Sequence, residues 1–354
     1  MAITFYPGPS KVYPQVATYM QEAYERGILS VNHRSAVFMD ICHKAIELLK
    51  AKLQIPADYS VMFVSSATES WEIIAQSLLE KHSYHLYNGA FGAKWREYTA
   101  KLHAQSEGYG FGVDEELHAE LANIPSKAEV LCFTQNETSN GTQVSNAALA
   151  SFTKGYQEKL IAVDATSSLG GIVLDFAQAD IWFASVQKCL GLPAGLGVLI
   201  CSPRALSRAR QLGENNHYNS LLFIHENIVN YQTHYTPNVL NIYLLMRIME
   251  EVEEIGMISK NIKQQAADWY RFFADMQDMK PLVGNAAVRS DTVITIQADP
   301  VRIGQIKEKA KKEGITLGNG YGTWKQNTFR IANFPAINTE EIQTLKSFFI
   351  NLAG

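Results

Sequence analysis

The sequence predicts an α/β fold, with a mostly parallel sheet covered by helices on both faces and a smaller α+β C-terminal domain. Up to about residue 240, short apolar runs alternate with amphipathic helical patterns. Such alternation is typical of parallel sheets. The rest of the chain mixes short strands with helices, and 354 residues suffice for about two domains. We therefore expect a large domain over 15–240 and a small domain formed by 1–14 and 241–354.

The elements follow the hydrophobic pattern along the chain. In the large domain, apolar runs predict strands at 60–64, 83–87, 129–134, 160–163, 181–184 and 198–201. Patterns of helical period predict helices near 14–26, 36–53, 68–80, 92–104, 146–156 and 203–211. A long helix over 238–278 would bridge the two domains. Beyond it we expect strands at 291–297, 315–318 and 327–332, and helices at 300–313 and 339–352.

Composition limits the class of function. Net charge is −4 and the basic residues are scattered, so we expect no nucleic-acid or membrane partner. No apolar run approaches the roughly 18 residues of a membrane span, and the N-terminus lacks a signal-peptide pattern. The four cysteines include no CxxC pair, and no H-E-x-x-H motif occurs. These features predict a cytoplasmic protein with reduced thiols and no metal site.

Two ionisable residues stand at the ends of predicted buried strands. Lys188 follows the strand at 181–184 and precedes a Gly/Pro-rich loop, and Asp164 directly follows the strand at 160–163. Burying an unpaired ammonium is costly, so a buried lysine can have a lowered pKa and form an imine. Ligands bind at the carboxyl ends of parallel strands. The pair fits a pyridoxal-phosphate site, where lysine holds the aldehyde and the acid keeps the pyridine nitrogen protonated.

The segment at 61–76 is a strand, a turn of small polar residues and an amphipathic helix. Its turn would place the backbone N–H groups of Ala67 and Thr68 at the helix N-terminus, which favours phosphate. Capping of the helix by Ser66 or Thr68 is the simpler interpretation. The two interpretations do not exclude each other.

Other candidates are weak when taken singly. Thr138 lies in a polar turn after the strand at 129–134, and Phe91 follows the strand at 83–87. A phenylalanine there is either part of the core or able to stack on a planar ring. Arg34 and Arg330 are either surface charges or groups that grip carboxylates through paired hydrogen bonds.

Taken in order, these segments resemble those of fold-type I pyridoxal-phosphate enzymes. The chain is similar to class V aminotransferases over nearly its whole length, and most similar to the phosphoserine aminotransferases among them. The resemblance is carried by F-Y-P-G-P-S (5–10), V-N-H-R-S-A-V-F (31–38), N-E-T (136–138), D-A-T-S-S (164–168), Q-K (187–188), P-A-G-L (193–196) and T-P (236–237).

The resemblance implies pyridoxal 5'-phosphate as cofactor and a role for each residue that faces its ring. Lys188 would hold the aldehyde covalently, and would move the proton of the reaction. Asp164 would pair with the pyridine nitrogen. Phe91 would stack on the ring, and Thr138 would hydrogen-bond its phenolic oxygen.

The resemblance also implies how phosphate and substrate are bound. The cofactor phosphate would be bound within one chain by Ala67, Thr68 and Gln187. Thr236 would reach the phosphate in the partner subunit, which implies a homodimer with its active sites at the interface. Arg330 would bind the α-carboxylate of the substrate, while His33 and Arg34 would bind its distal anionic group.

Two departures from the family pattern concern the substrate. Glu69 stands where the phosphate turn is expected to carry an arginine. The His-Arg pair expected shortly before Arg330 is missing, and only Lys325 is basic in that stretch and can replace it.

The resemblance implies transamination between phosphoserine and 2-oxoglutarate in serine biosynthesis. One alternative within the fold is an alanine or serine aminotransferase that uses glyoxylate or pyruvate. A remote alternative is a binding protein of this fold that has lost catalysis.

Overall fold

The computed structural model describes residues 3–103, 105–121 and 123–353. Its strands are β1 (Ile3–Phe5), β2 (Ser60–Val64), β3 (Ser83–Tyr87), β4 (Glu107–Gly110), β5 (Val130–Thr134), β6 (Asn136–Glu137), β7 (Thr142–Gln143), β8 (Leu160–Asp164), β9 (Ile181–Ser185), β10 (Gly197–Cys201), β11 (Lys280–Pro281), β12 (Val293–Gln297), β13 (Ile315–Asn319) and β14 (Thr328–Ala332). Its helices are α1 (Gln15–Glu25), α2 (Ala36–Leu53), α3 (Ala67–Leu78), α4 (Ala90–Leu102), α5 (Asn146–Gly155), α6 (Pro203–Leu212), α7 (Leu221–Ile228), α8 (Val239–Glu251), α9 (Ile255–Ala274), α10 (Pro300–Lys312) and α11 (Thr339–Ala353).

The larger sheet has seven strands in the order β2-β10-β9-β8-β5-β3-β4. Only β10 runs antiparallel to its neighbours. The loop 186–196 that joins β9 to β10 contains no helix, and a parallel crossover usually requires one. The predicted α/β class and the mostly parallel sheet are confirmed. The carboxyl ends of β5, β8 and β9 therefore meet at one edge of the sheet.

The smaller sheet has the order β1-β13-β14-β12-β11, and β1 pairs parallel with β13. The N-terminal segment is thus tied to the C-terminal part of the chain. Two hydrophobic clusters accompany the two sheets. The domain bounds given above stay a prediction. None of the described helices is both long and apolar enough to cross a membrane.

The prediction of one continuous helix over 238–278 is wrong, because the structure has two helices there, α8 and α9. Val252 adopts an extended backbone and ends α8. The residues at the break include no proline or glycine, so the sequence carries no breaker signal there. The bridging role falls to α9 alone: Ile262 packs in the cluster of the large sheet, and Trp269 in that of the small sheet.

Candidate active site

A cavity of about 380 Å³ opens where β5, β8 and β9 end, with β14 and the N-terminal segment on its other side. Eight of the predicted site residues line it: Ala67, Thr68, Phe91, Thr138, Asp164, Gln187, Lys188 and Arg330. Asp164 and Arg330 come from the two sheets, and the other six residues come from four segments that are remote in sequence. The fold therefore brings together most of the site that the sequence suggested.

Lys188 is buried in this cavity, with 7% of its surface exposed. Its Nζ donates to Thr138 Oγ1 at 2.8 Å and to Ser167 Oγ at 2.9 Å. Burial lowers the pKa of the amine to about 8, against the opposing effect of the Asp164 carboxylate. A Cβ on Gly8 would lie 2.9 Å from Lys188 Cε, so glycine leaves room for the lysine side chain. A neutral amine is therefore accessible near physiological pH.

Asp164 ends β8, the strand beside β9, and is also buried. Its Oδ1 accepts a hydrogen bond from the Thr166 N–H at 2.9 Å. Burial raises the pKa of Asp164, while the hydrogen bond from the Thr166 N–H and the charge of Lys188 act in the opposite direction. A cationic ring nitrogen placed here would stabilise the carboxylate further.

The turn before α3 holds the donors proposed for phosphate. Ser66 Oγ accepts from the Glu69 N–H at 3.2 Å, so the capping interpretation is confirmed. The Ala67 N–H donates to Ser185 Oγ at 2.8 Å. Among the described residues, the Thr68 N–H has no acceptor within hydrogen-bonding distance. An anion at this helix end would accept from that group.

Glu69 does not line the cavity. Its carboxylate accepts from the Ser65 N–H at 2.7 Å and from the Tyr218 hydroxyl at 2.9 Å. The residue that replaces the expected arginine therefore fixes the turn from outside and does not face the anion site.

Glu137, in the N-E-T segment, fixes the start of α4 and with it Phe91. The carboxylate is 1% exposed and accepts from the N–H groups of Phe91, Gly92 and Ser139 at 3.1, 3.2 and 2.9 Å. A Cβ on Gly89 would lie 2.3 Å from Glu137 Cγ, so only glycine fits there. The Phe91 ring centroid consequently lies 5.2 Å from Lys188 Nζ.

Arg330, on β14, is 4% exposed and closes the cavity from the small sheet. Its Nε donates to the Asn319 carbonyl and its Nη1 to the Thr138 carbonyl, both at 2.7 Å. A guanidinium has five N–H donors, so others remain for a carboxylate. Burial lowers the pKa of Arg330, and the nearby Tyr6 and Glu137 oppose that effect.

Three predicted site residues lie outside the cavity of their own chain, namely His33, Arg34 and Thr236. Arg34 is exposed and donates to Gln232 Oε1 at 2.7 Å, and Thr236 is exposed as well. His33 is partly exposed, and burial together with the neighbouring Arg34 lowers its pKa. The roles assigned to these three residues stay predictions, and a partner subunit would have to supply the cavity they serve.

Sequence reasoning missed several residues of the cavity, above all Trp71, Lys94, Tyr98 and Tyr321. Two of them were within reach of the sequence, because Lys94 and Tyr98 follow Phe91 at helical spacing and share its face of α4. Lys325, the expected replacement for the missing His-Arg pair, is exposed and does not line the cavity.

The polar lining fits pyridoxal phosphate. The Thr134 and Thr166 hydroxyls and the Asn136 amide nitrogen are buried and lack a hydrogen-bond partner within the described structure. All three residues line the same cavity as Lys188 and Asp164. A ligand with several acceptors and donors would satisfy such groups.

Comparison with known proteins gives a consistent result. The phosphoserine aminotransferase of Cytophaga hutchinsonii has a TM-score of 0.94 and 32% identity, with 100% of this chain and 99% of that chain covered. The phosphoserine aminotransferase of Rhodococcus opacus is 26% identical over 349 residues, 96% of this chain and 91% of that protein. The alanine–glyoxylate aminotransferase of Nostoc shares the fold, with a TM-score of 0.85, 18% identity, and 99% and 95% of the two chains covered.

The family model named aminotransferase class-V matches residues 3–344. Its members are pyridoxal-phosphate-dependent transaminases. The cavity contains a buried amine, Lys188, and a buried acid, Asp164, which are the two kinds of group that this cofactor needs. The chain belongs to the class V aminotransferases and uses pyridoxal phosphate.

Proposed function

We propose that the chain is a phosphoserine aminotransferase, which moves an amino group between phosphoserine and 2-oxoglutarate in serine biosynthesis. One observation carries the proposal: a single cavity joins the buried amine of Lys188 to two cationic side chains, Arg330 and Lys94. Two cations suit a substrate with an α-carboxylate and a second anionic group. The 32% identity with the Cytophaga hutchinsonii phosphoserine aminotransferase supports the same substrate.

Bound pyridoxal phosphate supplies an aldehyde and an electron-withdrawing ring that stabilises negative charge on the substrate Cα. With the cofactor bound, Lys188 Nζ would take the proton from the substrate Cα and deliver it to the cofactor's former aldehyde carbon. A pKa of about 8 keeps part of this amine neutral near pH 7, as a base requires. The Thr138 and Ser167 hydroxyls accept from Nζ and hold it in place.

The remaining residues position the reacting groups. The Asp164 carboxylate would hold the ring nitrogen protonated, and Phe91 would cover one face of the ring. The Thr138 hydroxyl, which accepts from Lys188 Nζ in this structure, would be available to donate to the phenolic oxygen of the cofactor. The N–H groups at the start of α3 would hold the phosphate together with Gln187, and Arg330 would bind the α-carboxylate.

We further propose a homodimer whose partner subunit supplies Thr236, His33 and Arg34 to the cavity. Among the residues that the structure describes, seven of the twelve exposed large hydrophobic side chains lie in two segments, 20–37 and 218–229. The hydrogen bond between Arg34 and Gln232 places the end of the first segment beside the loop that follows the second. Exposed apolar side chains concentrated in this way mark an interaction surface, and the three predicted residues lie in or close to these segments.

A cytoplasmic location also forms part of the proposal. All four cysteines are buried and free. Burial raises the pKa of each thiol, so these groups remain protonated and unreactive. Reduced buried thiols are usual in reducing compartments.

A half-reaction screen tests the function. The enzyme with its lysine-bound cofactor is mixed with phosphoserine, glutamate, serine, alanine or aspartate, and the loss of visible cofactor absorbance is followed. We expect phosphoserine and glutamate to react, and alanine to react poorly. If alanine or serine reacts faster than phosphoserine at equal concentration, the alternative alanine or serine aminotransferase is correct. Family membership, with Lys188 and Asp164 both in the cavity, sets aside the non-catalytic alternative.

A further inference from the structure

The rim of the cavity carries a lysine and a tyrosine that contact each other. Lys94 is exposed and its Nζ donates to the Tyr321 hydroxyl at 2.8 Å. The same nitrogen lies 5.3 Å from the centre of the Tyr321 ring. This hydrogen bond raises the pKa of Lys94, so the side chain is an ammonium at neutral pH. Both residues line the cavity that contains Lys188.

Lys94 differs from its neighbour Lys101 on the same helix. Lys101 forms an ion pair with Glu97 at 3.2 Å. Within the described part of the chain, Lys94 forms no ion pair and its partner is a neutral phenol. An ammonium has three N–H donors, and the Tyr321 hydroxyl, which accepts one of them, keeps its own proton to donate. The pair therefore offers several donors and a positive charge to an anion.

The Tyr321 ring also connects this pair to Arg330. The Arg330 guanidinium carbon lies 5.5 Å from the centre of the ring, and Lys94 Nζ lies 5.3 Å from it, so the two cations are within about 11 Å of each other. Arg330 Nε donates to the carbonyl of Asn319, two residues before Tyr321. Gly320 between them cannot be replaced, because a Cβ would lie 2.3 Å from the Trp324 carbonyl oxygen. The backbone thus sets the position of the tyrosine against the buried arginine.

We propose that Lys94 and Tyr321 bind the distal anionic group of the substrate, the phosphate of phosphoserine or the side-chain carboxylate of glutamate. This inference rests on the proposed function and deepens it by naming the residues that select dianionic substrates. Arg330 holds the α-carboxylate at the buried end, and the rim pair holds the second anion at the open end. The pair supplies within one chain a cation in the cavity, whereas Lys325, the basic residue of the loop before Arg330, does not line the cavity.

The test compares Lys94→Gln and Tyr321→Phe with Lys325→Gln, an exposed lysine close in sequence to Tyr321 that does not line the cavity. Half-reaction kinetics are measured with phosphoserine, glutamate and alanine. A hydrogen bond to a charged group contributes about 1.5–3 kcal/mol, so we expect Lys94→Gln to raise the KM for both dianionic substrates roughly tenfold or more. Tyr321→Phe is expected to raise it less. The KM for alanine, and all constants of Lys325→Gln, should stay near the wild-type values.

The outcomes separate this inference from the proposed function. If the wild-type enzyme ignores phosphoserine but reacts with glutamate, the proposed function is wrong, and the glutamate KM of Lys94→Gln still decides on the rim pair. Unchanged KM values for both dianions in Lys94→Gln would overturn the inference. So would an equal loss with alanine, because Lys94 would then act on the cavity as a whole and not on the second anion.

Discussion

Glu137 offers a sharp test of how the site is held together. Its buried carboxylate accepts three backbone N–H groups, from Phe91, Gly92 and Ser139. Two of these donors belong to the first turn of α4, the helix that presents Phe91 and Lys94 to the cavity. We expect Glu137→Ala to destabilise the fold and to disturb the cavity, and Glu137→Gln to do both to a smaller degree.

The magnitude follows from the hydrogen bonds. Glu137→Ala leaves three donors without an acceptor, at about 1–3 kcal/mol for each buried group. Phe91 is only partly buried, so water reaches some of the vacated space, and we expect a loss of about 3–5 kcal/mol in the free energy of unfolding. The amide of Glu137→Gln can still accept from Phe91 and Gly92. Burial raises the pKa of Glu137, so removing the charge also removes an unfavourable desolvation, and we expect a loss of about 1–3 kcal/mol.

The assay is urea unfolding of the cofactor-free protein, because bound cofactor would add its own stabilisation. Glu97→Gln is the matched control: Glu97 is an exposed residue of the same helix paired with Lys101, and its loss should change stability by less than about 1 kcal/mol. A loss below 1 kcal/mol for Glu137→Ala, or equal losses for the alanine and glutamine variants, would refute the reasoning from buried hydrogen bonds.

Three further predictions concern the chemistry. The cofactor-free enzyme should take up pyridoxal phosphate faster as pH rises, with an apparent pKa near 8, because the neutral amine of Lys188 is the form that reacts. In Asp164→Asn the midpoint of this pH profile should move to lower pH, because the Asp164 carboxylate raises the pKa of Lys188. Stopped-flow uptake rates against pH measure both, and a midpoint above 10 would contradict the burial argument. Arg330→Ala should slow the half-reaction of every amino acid by roughly tenfold or more, whereas Arg34→Ala should slow only substrates with an anionic side chain. If Arg34→Ala slowed every amino acid and Arg330→Ala only those with an anionic side chain, the two roles would have to be exchanged. Thr236→Ala should weaken cofactor affinity by roughly tenfold in equilibrium dialysis, and unchanged affinity, or an active monomer, would remove Thr236 from the site.

The large sheet could be predicted because its strands are buried on both faces and so form continuous apolar runs. β8 and β9 are fully buried over all five of their residues, and their predicted starts agree with the structure. Shorter strands could not be predicted, because they lack such an apolar run. β4 contains two glycines and no fully buried residue, and its pairing depends on the neighbouring β3. The antiparallel direction of β10 follows from a loop length that periodicity does not encode.

The sequence likewise predicted some residues of the site and not others. Lys188 and Asp164 were predictable because a charge at or shortly after the end of an apolar strand is conspicuous in the sequence. The function of Glu137 was not, because its three partners lie up to 46 residues away and are backbone groups that no motif describes. His33 and Thr236 came only from a resemblance, whereas Arg34 was also a candidate by its residue type. The exposure of these residues within a single chain shows why spacing could not place them.

The two substrate departures show how sequence position and spatial position can differ. An arginine is expected at position 69 and a His-Arg pair before Arg330, and the chain has neither. Glu69 points away from the cavity to Tyr218, so the substitution alters the support of the turn more than the charge of the site. Lys94 on α4 matches the missing positive charge. It is remote in sequence from the loop before Arg330, but its Nζ donates to the hydroxyl of Tyr321 in that loop. A comparison of aligned positions alone would count a loss of cations at this site. In the structure, however, two cationic side chains, Arg330 and Lys94, line one cavity. Binding of a dianionic substrate depends on that spatial arrangement.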